Sequence, residues 1–89
     1  LSSADAGDKI LNTHQAVDVS VVLYRNRRIS FRRRDGSNID LSKIAELFDG
    51  GGHAYASGGK IKAFKNISYE NLDKVLFHID RILKNWFLH

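Results

Sequence analysis

Two stretches of the sequence carry residue types able to hold an anion. Between Arg25 and Arg34 lie Arg25, Arg27, Arg28, Arg32, Arg33 and Arg34, with no acid among them until Asp35. A guanidinium is a rigid fork of donors that matches phosphate and carboxylate oxygens, whereas an ammonium is a point charge on a flexible stem. Further on, Gly50 to Gly59 reads GGGHAYASGG. Consecutive glycines let successive N–H groups converge on an anion, and the lack of Cβ atoms lets a ligand approach the main chain. A helical turn over Ala54-Tyr55-Ala56-Ser57 would aim unpaired amides at the same place, and His53 adds a donor and a proton carrier near neutral pH. A phosphate fits this combination. Charged hairpins also serve solubility and discourage edge pairing. A glycine-rich connector with an incidental histidine is equally common, so spacing alone leaves both readings open.

Phosphodiester hydrolysis usually needs a metal pair to activate water and neutralise developing charge. Here Asp5, Asp8, Asp18, Asp35, Asp40, Asp49, Asp73 and Asp80 are scattered and no histidine pair has metal spacing, so no metal site is expected in this chain. His14, His78 and His89 read as structural or surface residues. What remains is binding. With 89 residues the chain holds one domain and one modest core. A hydrophobic content of 43% and a charged content of 27% are those of an ordinary globular protein. The net charge of +4 understates the arginine patch, because the charge is concentrated rather than spread. Cysteine is absent, which removes disulfides and thiolate sites and agrees with a cytoplasmic location. No apolar run approaches the roughly 18 residues of a membrane span, and LSSADAG has no features of a leader. Leu1 in place of an initiating methionine points to a processed product or a piece of a longer protein.

The elements that position these residues follow from periodicity. Ala4 to Thr13 is a weak helical candidate, and residues 1–16 read as a linker or weak helix leading from another domain. Val17, Val19, Val21 and Leu23 alternate with Asp18, Ser20, Val22 and Tyr24, the period of a strand, and apolar residues on both faces suggest a central one. Ile29 and Phe31 alternate with Arg28, Ser30 and Arg32. A three-residue connection, Arg25-Asn26-Arg27, pairs Leu23 with Ile29 and Val21 with Phe31 and keeps one face apolar; a two-residue loop mixes polar and apolar on both. Asn26 is the residue expected to accept positive φ.

After the turn-like Asp35-Gly36-Ser37-Asn38, the residues Leu41, Ile44, Ala45 and Phe48 mark an amphipathic helix with Asp40 as N-cap and Gly50 as a left-handed C-cap. Lys60 to Phe64 reads as a short strand. Tyr69, Leu72, Val75, Leu76, Ile79, Ile82, Leu83 and Trp86 form the stripe of a long C-terminal helix, N-capped by Ser68 and packed as core. The predicted class is α+β: a small mixed sheet with a basic hairpin and helices packed on it.

The run Ser30-Phe31-Arg32-Arg33, then Asp40 to Phe48, then Gly50-Gly51-Gly52-His53-Ala54-Tyr55-Ala56-Ser57-Gly58 resembles the C-terminal DHH-associated domain of DHH-family phosphoesterases, of the oligoribonuclease (nanoRNase) or 3'-phosphoadenosine 5'-phosphate phosphatase type. That family shows a strand with S-x-R-S, a helix, then GGGH-x-x-A-[AS]-G. The resemblance spans roughly Val17 to the end, taken as domain 17–89. It implies that Arg32, Gly50, Gly51, Gly52 and His53 hold substrate phosphate, with His53 also a catalytic group near the scissile bond. Ser30, Arg28 and Arg34 are further candidates, while Arg33 stands where the family has serine. It also implies an N-terminal DHH domain carrying manganese as partner and a nucleotide or short single-stranded oligonucleotide as ligand; a homodimer is a further open partner, independent of the resemblance. This chain alone is then expected to be inactive. Two other classes fit the residues: a non-catalytic single-stranded nucleic-acid-binding module using the hairpin arginines with Tyr24, and a dimerisation module using the Tyr69–Trp86 helix.

Overall fold

A computed structural model describes Gly7, residues 18–54 and residues 56–88. The candidate helix Ala4–Thr13 (Gly7 apart), His14, Val17, Tyr55 and His89 lie outside the described residues. Along the chain come β1 (Val19–Leu23), β2 (Arg28–Arg33), α1 (Leu41–Glu46), β3 (Gly51–Gly52), β4 (Ala56–Lys60) and α2 (Leu72–Leu88). The strands form one sheet in the order β1-β2-β4-β3. The class is α+β as predicted; where a mixed sheet was expected, all three pairings are antiparallel. Two of the three joins are too short to make the crossover that a parallel pair requires.

The hairpin register follows the apolar alternation: Leu23 pairs with Ile29 and Val21 with Phe31, and the Tyr24 N–H donates to the Arg28 carbonyl at 2.9 Å. The left-handed residue of the loop is Arg27, at φ 74°, and not Asn26. In a three-residue loop the third position carries positive φ. Asn26 instead accepts the Arg28 N–H on its side-chain oxygen at 3.1 Å. Arg27 is held by its own Nη1, which donates to the Phe64 carbonyl at 3.0 Å, and by its carbonyl, which accepts the Ile61 N–H at 2.8 Å. β1 lies at the edge of the sheet rather than its centre. Its second face is met by Gly7, whose carbonyl accepts the Ser20 hydroxyl at 3.1 Å.

Both helices cover one face. Ile29 and Phe31 of β2, Leu41, Ile44, Ala45 and Phe48 in and just after α1, Ile61, Ile67, and Val75 and Ile79 of α2 form a single core. The Phe31 and Phe48 rings pack 5.6 Å apart. α1 starts where predicted, with Asp40 accepting the Ser42 N–H at 3.0 Å. It ends differently. Asp49 takes the left-handed conformation at φ 57°, and Gly50 is required for another reason, since a Cβ there would overlap the Gly58 carbonyl.

The predicted strand over Lys60–Phe64 is displaced toward the N-terminus. β4 begins at Ala56, so no helical turn occupies Ala56 and Ser57, and the glycines Gly58 and Gly59 lie inside a strand. ASGGK has little strand propensity of its own, but ladders to β2 and β3 on both sides override it. α2 begins at Leu72, preceded by a turn in which Asn71 Oδ1 accepts the Ser68 N–H at 2.8 Å and Asn71 Nδ2 donates to the Asn66 carbonyl at 2.9 Å. The Asn71 carbonyl accepts the helix's first backbone bond, from Val75 at 3.0 Å, while Ser68, expected as the N-cap, opens the turn three residues earlier, its N–H held by the Asn71 side chain as in a capping box. Tyr69, counted in the core stripe, is 86% exposed because it stands in that turn, before the helical period begins. No helix among the described residues is long and apolar enough to cross a membrane.

Candidate anion-binding face

Residues paired across antiparallel strands share a face. Opposite the helices, the sheet therefore presents Tyr24, Val22 and Ser20 from β1 and its end, Arg28, Ser30 and Arg32 from β2, and Ala56, Gly58 and Lys60 from β4. Ser57, on the other face, is spent on the fold, its hydroxyl donating to the Leu41 carbonyl at 2.8 Å. Two rows cross this open face. In one, Ser30 pairs with Gly58 and Gly58 with Gly51. In the next, Arg32 pairs with Ala56, which exchanges backbone hydrogen bonds with His53 at 2.8 and 3.3 Å. Strand spacing puts Arg32 and His53 roughly 10 Å apart at the backbone. Between β2 and β3 the face is floored only by Ala56 and Gly58. An open cleft of about 420 Å³ lies over Tyr24, Arg28, Ser30, Arg32, Ala56 and Gly58, and no acidic residue among the described ones lines it.

The six hairpin arginines divide by what they touch. Arg27 and Arg33 are tied to carbonyls, Arg33 Nη1 donating to Ile39 at 2.6 Å from the helix side of the sheet, with its Nε buried and without a partner among the described residues. Arg25 lies over the Tyr69 ring, 5.9 Å from its centroid. Arg34 continues past β2, its N–H bonded to the Asp18 carbonyl at 2.8 Å, and it makes a further interaction within the chain. Of the six, only Arg28 and Arg32, both lining the cleft, have guanidinia with no hydrogen-bond, ion-pair or ring partner among the described residues. The stem of Arg32 runs against Gly7, where a Cβ would come within 2.7 Å of Arg32 Cγ.

The glycine run is not a nest of converging amides. The Gly50 N–H donates to Ala45 at 2.9 Å and the His53 N–H to Ala56, both inside the fold. Gly52, at φ 144°, sits where a Cβ would come within 2.8 Å of Ser57 Cα. Gly51 differs from its neighbours: a Cβ there meets nothing within 4 Å, and the residue is exposed. Its bareness answers no packing demand. The floor residues Ala56 and Gly58 escape the sequence reading, which puts the first in a helical turn. The signal that would have found them is the period-two spacing of Ala56, Gly58 and Lys60 against Ser57 and Gly59. Among the described residues no group of three or more His, Asp or Glu could hold a metal ion.

Comparison with known proteins bears on the family and the fold. The DHHA1 domain family matches residues 3–85. The chain belongs to that family of DHH-associated domains. It is also similar to the crystal structure of an uncharacterized protein from Helicobacter pylori G27, at 25% identity and a TM-score of 0.71 over 88% of this chain. The chain spans 23% of that protein. No curated protein matches it.

Proposed function

We propose that this chain is the substrate-binding lobe of a DHH-family phosphoesterase that hydrolyses phosphate esters of nucleotides or short oligonucleotides. The reading is carried by one observation: Arg28 and Arg32, whose guanidinia have no partner among the described residues, share an open face with Gly51 and His53 across a floor that has no side chain larger than a methyl. On this reading Arg32 grips a phosphate and Ser30 donates beside it. The Gly51–Gly52 main chain lets the ligand lie close, and His53 serves as donor and proton carrier at the scissile phosphate. Water activation and neutralisation of developing charge belong to a manganese-carrying DHH domain as partner. This chain's part is orientation, which is itself a large share of such catalysis.

The test is calorimetric titration of the 89-residue chain with a 5'-phosphorylated diadenylate. Losing a charge-assisted hydrogen bond costs about 1.5–3 kcal/mol, so Arg32→Ala is expected to weaken binding about 10- to 100-fold with an unchanged circular dichroism spectrum. Equal affinities for the variant and the parent would remove Arg32 from the site and the reading with it.

A further inference from the structure

Beside the hairpin lies a second cavity of about 300 Å³, walled by Tyr24, Arg25 and Tyr69 over Leu23, Leu72 and Leu76. This is the low end of the size of ligand clefts, with room for one planar ring system rather than a whole nucleotide chain. Its walls suit such a ring. Tyr69 is 86% exposed, yet its backbone is fixed in the turn that Ser68 and Asn71 lock ahead of α2. The Arg25 guanidinium stands 5.9 Å from the Tyr69 centroid, the outer limit of a cation–π contact, so little is lost when it swings to cover a ligand instead. A flat apolar body with hydrogen-bonding edges, between an aromatic face and a guanidinium, is the binding mode of an unpaired nucleobase.

The cavity adjoins the cleft at the hairpin end of the sheet, where it opens on the helix side and a strand leaving the cleft must turn around Tyr24. Tyr24 lines both. Arg32 and Arg28 are four residues apart on β2, about 13 Å, and Tyr24 lies beside Arg28 where the strand ends. A strand whose phosphates follow the two arginines away from Gly51 is thus delivered to Tyr24 and the cavity beyond. We propose that this cavity is a nucleobase-stacking subsite, filled only by oligonucleotides long enough to extend past Arg28. The proposal rests on the reading of the cleft as the phosphate site and adds to it a preference for length.

The experiment compares 5'-phosphorylated diadenylate with tetraadenylate on the 89-residue chain by calorimetry, for the parent, Tyr69→Ala, Tyr69→Phe and Arg32→Ala. One lost stacking contact corresponds to about a 5- to 100-fold drop in affinity. Tyr69→Ala is expected to show that drop for the tetramer alone, Tyr69→Phe to restore it, and Arg32→Ala to weaken both ligands. Because Tyr69 is 86% exposed, the alanine variant is expected to keep its fold, which an unchanged circular dichroism spectrum checks. A Tyr69→Ala variant that binds the tetramer as the parent does, or that loses both ligands equally, overturns the subsite while leaving the Arg32 reading intact. Failure of the parent to bind either ligand overturns both.

Discussion

Gly50 and Gly51 are chemically identical neighbours held to different demands. At Gly50 the main chain passes so close to Gly58 that any Cβ would overlap its carbonyl oxygen, whereas at Gly51 the same atom meets open space on the cleft side. Gly50→Ala is therefore expected to destabilise the domain by about 1–3 kcal/mol, since a backbone must move to admit it. Gly51→Ala should change stability by no more than about 0.5 kcal/mol, yet its methyl would stand where the proposed ligand is to lie. Urea unfolding and diadenylate titration of the two variants separate these effects; loss of stability in both would make the whole run structural. The arginines teach the same lesson. Six look alike in sequence, and what separates them is whether a carbonyl or a ring has already claimed the guanidinium, which depends on the face each residue takes in the sheet.

Among the elements, α1 carries a titratable cap. The Ser42 hydroxyl donates to the Asp40 carboxyl, and this bond above all holds the group below the ordinary aspartate range; desolvation opposes it, while the Ser42 N–H and the charges of Lys43 and Arg33 assist it. The fold thus favours the ionised form. Its contribution is present above the ordinary aspartate pKa and is lost as pH falls through the lowered folded value. Asp40→Asn keeps a cap acceptor but no charge, so a series of urea midpoints against pH should show a flatter acid limb than the parent; identical limbs would mean that the cap carries no proton linkage. How far the elements were legible depended on side chains. The first hairpin's register could be read because Leu23, Ile29, Val21 and Phe31 are large and alternate, and α1 and α2 because their apolar spacing is helical. β4 could not. Ala56, Ser57, Gly58 and Gly59 offer no apolar signal, and their strand exists only through its two neighbours, so the glycines looked like a loop capped by a helical turn. The left-handed residues Arg27 and Asp49 were missed because loop geometry, and not residue preference, chose them.

For the whole molecule, charge placement sets how binding responds to salt. Two phosphate contacts, from Arg28 and Arg32, predict a slope of log affinity against log salt near −1.4 for a single strand. A slope steeper than about −3 would instead favour a general nucleic-acid surface that recruits most of the basic residues. The helices wall off one side of the sheet and leave the other open, which the amphipathic stripes foretold, but the grouping of Ser30, Arg32, Gly51 and His53 into adjacent rows depended on the unforeseen β4. That strand also restricts how the molecule can diversify. A platform built of main chain has no side chain to exchange for a longer, shorter or more polar one, because enlarging Gly58 brings a methyl within 3.0 Å of the Ile29 carbonyl and crowds the cleft. Ligand preference must then be tuned at the rim, by the residues at positions 24, 28, 53 and 69, with the platform unchanged beneath them.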